Sequence, residues 1–199
     1  MAELYKNKYR IESTRLKNWD YASPGAYFVT ICTKNREPYF GKIVNGKMEL
    51  SEMGQIAEKY WREIPVHFSN VHLDEFVVMP DHFHGIIVIV ETPKLVETPN
   101  LGVSTTNLGV STTIRTPAKN WKPGTLGVII NQYKRICTIQ IKKRGYGFAW
   151  QPRFYDRIIR NDGELNRIRQ YIADNPMNWG SNGIRLTDEE IAIMEGAVK

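Results

Sequence analysis

Cysteine is scarce in this chain: 199 residues hold two, Cys32 and Cys137, with no CxxC and no zinc-ribbon spacing. That excludes a disulfide framework and a thiolate-built zinc module, and a reducing compartment is the simplest setting. Long apolar runs are missing too. The longest, residues 86–90, falls far short of the roughly 20 residues needed to cross a bilayer. The N-terminus is polar and charged rather than signal-like, so the expectation is a cytoplasmic protein with no membrane partner. Histidine is also rare, with four in the chain, so any pair of them at a meaningful spacing carries weight.

Enough apolar residues are present for a core: 42% of the chain is hydrophobic against 24% charged, an ordinary globular balance. The length suits one domain with short extensions. The net charge of +6 and pI near 9.3 suit a polyanionic partner, although many soluble proteins are mildly basic without one. The cations are clustered. Residues 1–20 form a basic arm with Lys6, Lys8, Arg10, Arg15 and Lys17, and a later segment carries Lys134, Arg135, Lys142, Lys143 and Arg144. Tyr5, Tyr9, Trp19 and Tyr21 punctuate the arm; such rings can stack on unpaired bases or dock the arm on the core. Residues 181–199 are acidic by contrast and contain TDEE, a capping-box start for a tail helix.

The pattern along the chain predicts a strand over 26–33, a hairpin over 40–50 turning at Asn45-Gly46, and a helix capped by Ser51 and ended by Pro65. Two strands follow, over 73–79 and 82–90, joined at Pro80-Asp81. The second is apolar throughout after Gly85 and is expected to be central, covered on both faces. Gly85 suits either a close approach or a bulge. Residues 91–123 interrupt the pattern with the duplicated unit NLGVSTT, read as a low-complexity loop insertion. Helical periodicity returns over 125–143, a strand interrupted by Pro152 over 148–159, and a helix over 162–174 stopped by Asn175-Pro176. The order β-α-β-β-α-β plus a helix is the split βαβ arrangement. The expected fold is therefore α+β: a ferredoxin-like core with a central antiparallel sheet flanked by helices, and an additional C-terminal helix. The main domain spans 21–180.

His82-Phe83-His84 is the most informative stretch. Residues i and i+2 of a strand share a face, so both imidazoles project together while Phe83 points the other way. Neutral imidazole is the commonest protein metal ligand, and two on one strand make half a divalent-cation site. Two ordinary half-buried histidines also fit so short a pattern. His67 and His72 lie outside it and read as surface or structural. A second signal lies in NDGELNRIRQYIADNP. At about 100° per residue, Glu164, Ile168, Tyr171 and Asn175 fall in one stripe, with Leu165 and Ile172 beside it. Tyr171 and Asn175 thus stack one turn apart at the edge of the buried side, where a tyrosine can equally be core with a wet hydroxyl.

The segments YASPGAYFVTICTKNR, VVMPDHFHGIIVIV and FAWQPRFYDRIIRNDGELNRIRQYIADNPMNW resemble the HUH superfamily single-tyrosine transposases, and more narrowly the REP-associated tyrosine transposases. The resemblance covers roughly residues 15–180, and the histidine pair followed by YIxxNP is more specific than either motif alone. Asp81 stands where the family's MPNH has asparagine, and the duplicated loop is no part of the family pattern.

The resemblance implies a divalent metal, Mg²⁺ or Mn²⁺, on His82 and His84, with Asn175 completing the shell, and Tyr171 as nucleophile; Tyr155 is the rival. It implies a single-stranded DNA endonuclease and strand transferase acting on hairpins of palindromic repeats through a 5′-phosphotyrosyl intermediate. Such a protein acts as monomer or homodimer and is nucleoid-associated when bound. Arg15, Lys17, Lys134, Arg135, Lys142, Lys143 and Arg153 are the candidate DNA contacts, with Trp150 and Trp179 as stacking candidates. Two alternatives remain open at this point: a non-catalytic DNA-hairpin binder derived from a transposase, and an unrelated metal hydrolase.

Overall fold

A computed structural model describes residues 19–91 and 124–179. The basic arm up to residue 18, the duplicated loop over 92–123 and the acidic tail over 180–199 lie outside the described residues.

The β-branched and aromatic run near the N-terminus forms β1 (Gly25–Cys32). Next come β2 (Gly41–Val44) and β3 (Lys47–Leu50), a hairpin forming its own two-stranded sheet. Asn45 and Gly46 both take positive φ, 52° and 71°, as a two-residue turn matched to strand twist requires. Ser51 caps α1 (Glu52–Arg62) by accepting from the Gly54 amide. Pro65, expected from the sequence to end the helix, instead lies within a helical path that continues past it. It sits in the first turn of α2 (Ile64–His67), where a missing N–H costs nothing. The chain then runs through β4 (Val71–Val78), β5 (His82–Ile89), α3 (Leu126–Lys143), β6 (Tyr155–Ile159) and α4 (Asp162–Asn178).

The main sheet has the order β4-β5-β1-β6, every neighbour antiparallel. This is the expected split βαβ core. β5 is central, and after Gly85 it is apolar on both faces because both faces are covered. On one side Trp61 of α1 and Ile129, Ile130, Tyr133 and Cys137 of α3 pack against Tyr27, Val29, Ile31, Phe83 and Ile87. On the other, Ile168 and Ile172 of α4 pack against Phe28, Ile86 and Ile159. Gly85 belongs to the first side. A Cβ there would stand 2.4 Å from the Trp61 ring, so the glycine admits an indole. The irregularity falls on the partner strand, between Leu73 and Phe76.

Two further elements depart from expectation. The strand over 148–159 shortens to β6: Trp150 bridges to Thr33, but the pairing with β1 jumps around Pro152, which has no N–H to contribute. The Lys134 ammonium holds this jump by donating to the Gln151 and Arg153 carbonyls at 2.7 and 2.8 Å. At the other end, α4 runs through Pro176 to Asn178. Trp19 and Tyr21 dock on the core, the Trp19 indole donating to the Tyr27 hydroxyl at 3.1 Å and the Tyr21 ring lying beside Tyr27. Among the described residues no helix is long and apolar enough to cross a membrane.

Candidate active site: a histidine pair beneath the last helix

Alternation along β5 divides three neighbouring side chains between two environments. Phe83 enters the main core, its ring 4.4 Å from Trp61. His82 and His84 emerge on the α4 side, ring centroids 4.5 Å apart and steeply inclined. Both are 1% exposed. A buried imidazole needs partners, and β1 and the β4–β5 turn supply them at Nδ1. Thr30, directly opposite His84 in the register, places Oγ1 2.8 Å from its Nδ1. Asp81 places Oδ1 2.6 Å from Nδ1 of His82. Asp81 is itself buried and paired with the Arg36 guanidinium at 3.0 Å. A carboxylate only accepts, so Nδ1 of His82 donates here, and in the neutral ring Nε2 carries the lone pair.

Tyr171 arrives from above. Its hydroxyl lies 3.2 Å from Nε2 of His84 and its ring stands edge-on to Phe28, which stacks on His84. In the tautomer that carries the His84 proton on Nδ1 and donates it to Thr30, Nε2 accepts from the phenol O–H. The helix is held in this place by more than its apolar stripe. Asn161 caps it; Glu164 in its first turn is buried and takes Arg157 at 2.6 Å and the Arg160 amide at 2.9 Å. Further along, Arg169 forks onto Asp74 of β4, holding that carboxyl below its usual range chiefly through this hydrogen bond. Asn175 is 8% exposed, on the same buried stripe as Glu164, Ile168 and Ile172.

The structure thus brings together His82, His84 and Tyr171, with Asn175 one turn beyond. Tyr155 shares the sheet face, paired with Thr30 from the strand beyond β1. Trp179 lies beside His82, ring centroids 5.8 Å apart. His67 and His72 are exposed, away from the pair. Among the described residues no three His, Cys, Asp or Glu side chains converge as a metal cluster.

The candidate DNA contacts scatter. Arg15 and Lys17 lie outside the described residues. Lys134 is engaged by the loop before β6, and burial pushes its ammonium down to about 8. Arg135, Lys142 and Lys143 are exposed on the outer side of α3, with the sheet between them and the histidines. Arg153 is exposed in the turn before β6, at φ 68°. Trp150 packs in the main core and donates to the Lys134 carbonyl.

Thr30 and Arg36 were not singled out by sequence reasoning, and Asp81 only as a departure from a motif. One signal was present: Thr30 sits in VTICT, where a hydroxyl alternates with apolar residues and so marks a face.

No family model matches the chain. An uncharacterized protein of Haemophilus influenzae is 38% identical over 168 residues, spanning 84% of this chain and 88% of that one. Among solved structures, a REP-associated tyrosine transposase bound to a REP hairpin superposes with a TM-score of 0.50 at 18% identity, over 89% of this chain and 74% of its own. A proposed transposase of Deinococcus radiodurans gives a TM-score of 0.41 at 16% identity, over 80% and 97%.

Proposed function

We propose, from the premise that this chain belongs to one family with the Haemophilus influenzae protein and has the fold of the REP-associated tyrosine transposase, that it is a metal-dependent single-stranded DNA endonuclease and strand transferase acting on hairpins. The observation that carries the reading is the Tyr171 hydroxyl 3.2 Å from Nε2 of His84, over a buried histidine pair. A phenol brought to the lone-pair side of two imidazoles joins a nucleophile to a ligand set.

The residues fit a divalent cation. Asp81 and Thr30 engage each Nδ1, the partner pattern that orients metal-binding histidines. His82 and His84 would hold the ion, with the Asn175 amide as third protein ligand. When bound, Mg²⁺ or Mn²⁺ would polarise the scissile phosphate as a Lewis acid.

The rest falls to the chain. α4 holds Tyr171 rigidly, which lowers the entropic cost of attack. As the Tyr171 Oη–phosphorus bond forms, the bond from phosphorus to the 3′ oxygen breaks, and the proton given up by the phenol to solvent is balanced by the one the departing oxygen takes up. That oxygen leaves as a 3′-hydroxyl, and the phosphoryl group stays on Tyr171 as a 5′-phosphotyrosyl ester. Attack by another 3′-hydroxyl reverses the exchange and joins strands without a nucleotide cofactor. A helix-borne phenol over a recessed pair suits a single strand or the single-stranded edge of a hairpin, and the REP hairpin bound by the structural neighbour supports that substrate class. Tyr171 meets His84 of its own chain, which supports a monomer as the acting unit.

The test is trapping on labelled hairpin oligonucleotides with Mn²⁺. Wild type is expected to form a 5′-linked adduct, and Tyr171→Phe to bind the hairpin but form none. An adduct surviving in that variant would move the nucleophile elsewhere, Tyr155 first. A gel shift without adduct in wild type under either metal would leave a hairpin-binding protein without chemistry.

A further inference from the structure

We infer that Asp81, clamped by Arg36, is a positioning residue: it fixes the tautomer of His82 and so decides which ring nitrogen can take a cation. The inference deepens the metal reading above and rests on it.

Asp81 has little freedom. It is 1% exposed. Its carbonyl accepts from the Thr33 amide at 2.9 Å and the Thr33 hydroxyl at 2.8 Å. One carboxylate oxygen meets Nδ1 of His82 and the other the Arg36 guanidinium. Arg36 is itself set for this contact. Asn35 and Arg36 take φ of 56° and 57°, consecutive left-handed residues of the kind that persist where surrounding structure over-determines them. A second guanidinium nitrogen of Arg36 lies 3.0 Å from Sγ of Cys32, the residue opposite His82 in the register.

This arrangement distinguishes a carboxylate from an amide of the same shape. Asp81 faces a donor group on both sides: Nδ1–H at one oxygen and, as an ion pair, the Arg36 guanidinium at the other. An asparagine here has one acceptor and one donor. Arg36 only donates, so it takes the amide oxygen and turns the NH₂ toward His82. Nδ1 must then accept, the ring proton moves to Nε2, and the nitrogen meant for the cation is blocked. The same substitution becomes harmless once Arg36 is gone, because the amide can turn its oxygen to Nδ1–H.

The experiment compares wild type, Asp81→Asn and the double variant Asp81→Asn with Arg36→Ala. Histidine tautomers are read by ¹⁵N long-range correlation spectra of metal-free protein, and Mn²⁺ affinity by calorimetry. Wild type is expected to show His82 protonated at Nδ1. Asp81→Asn should move the proton to Nε2 and weaken Mn²⁺ about 10–100-fold, the usual effect of losing such a partner. The double variant should regain the Nδ1–H form and most of the affinity, a rescue that a merely structural role does not produce. Wild-type tautomer and affinity in Asp81→Asn would overturn the inference. If wild type binds no Mn²⁺, the metal reading falls, and the tautomer spectra still decide whether Asp81 positions the ring.

Discussion

The His82 ring is oriented by the residue just before it, whereas the His84 ring takes a partner from far away in the chain. Thr30 lies 54 positions from His84 in sequence yet bonds it at 2.8 Å, because the β1–β5 register sets them opposite. Thr30→Val removes that partner and leaves a buried polar nitrogen, so a loss of about 1–3 kcal/mol is expected, read as a lower urea midpoint at unchanged slope. An unchanged midpoint would mean that His84 finds another partner or that the bond contributes nothing. The same residues show what was legible in advance. Alternation alone puts His82 and His84 on one face and Phe83 on the other, and the wheel puts Ile168, Tyr171 and Asn175 on one stripe; these patterns are local. Thr30 and Arg36 become partners only through register and a pair of left-handed residues, which no short window encodes.

Elements tell a similar story. The Ser51 cap and the Asn45-Gly46 turn were readable because their chemistry is local: Ser51 accepts from an amide three residues on, and Asn45-Gly46 turns the hairpin. Prolines misled because their effect depends on what surrounds them. Pro65 starts α2, while Pro176 lies within α4, whose last turn is met at Met177 by Gly46 of the hairpin tip. The contact supports a turn that local propensity ends.

The grip of α4 on the sheet has a testable pH signature. The hydrogen bonds from Arg169 hold the Asp74 carboxyl below the usual carboxylate range. A depressed carboxyl stabilises the fold above the unfolded pKa, and the contribution fades as pH falls through the lower folded one. Wild type should therefore slightly exceed Asp74→Asn in stability near neutral pH, a small effect because the pair is partly exposed, and the two should converge in acid once pH falls below the depressed carboxyl's range. Denaturant titrations across pH would show it; a gap that persists in acid would assign the effect to something other than this ion pair.

At the scale of the whole molecule, the sheet is a partition. α1 and α3 cover one face and α4 the other, so the exposed cations of α3 and the histidine pair look out on opposite sides. A short single strand lying under α4 cannot touch Lys142 or Lys143, whereas a hairpin long enough to pass round the sheet edge can. The two lysines are thus proposed to hold the body of a hairpin rather than the scissile nucleotide. Each lost phosphate contact lowers the slope of log affinity against log salt by about 0.7–0.9. Lys142→Gln with Lys143→Gln should therefore reduce that slope for a long hairpin by about 1.4–1.8 and leave adduct formation on a short single strand unchanged. Fluorescence anisotropy at graded salt reads the first and gel trapping the second. An unchanged slope removes the outer side of α3 from the DNA path; a fall in short-strand adduct would mean that these lysines act on the site through the fold.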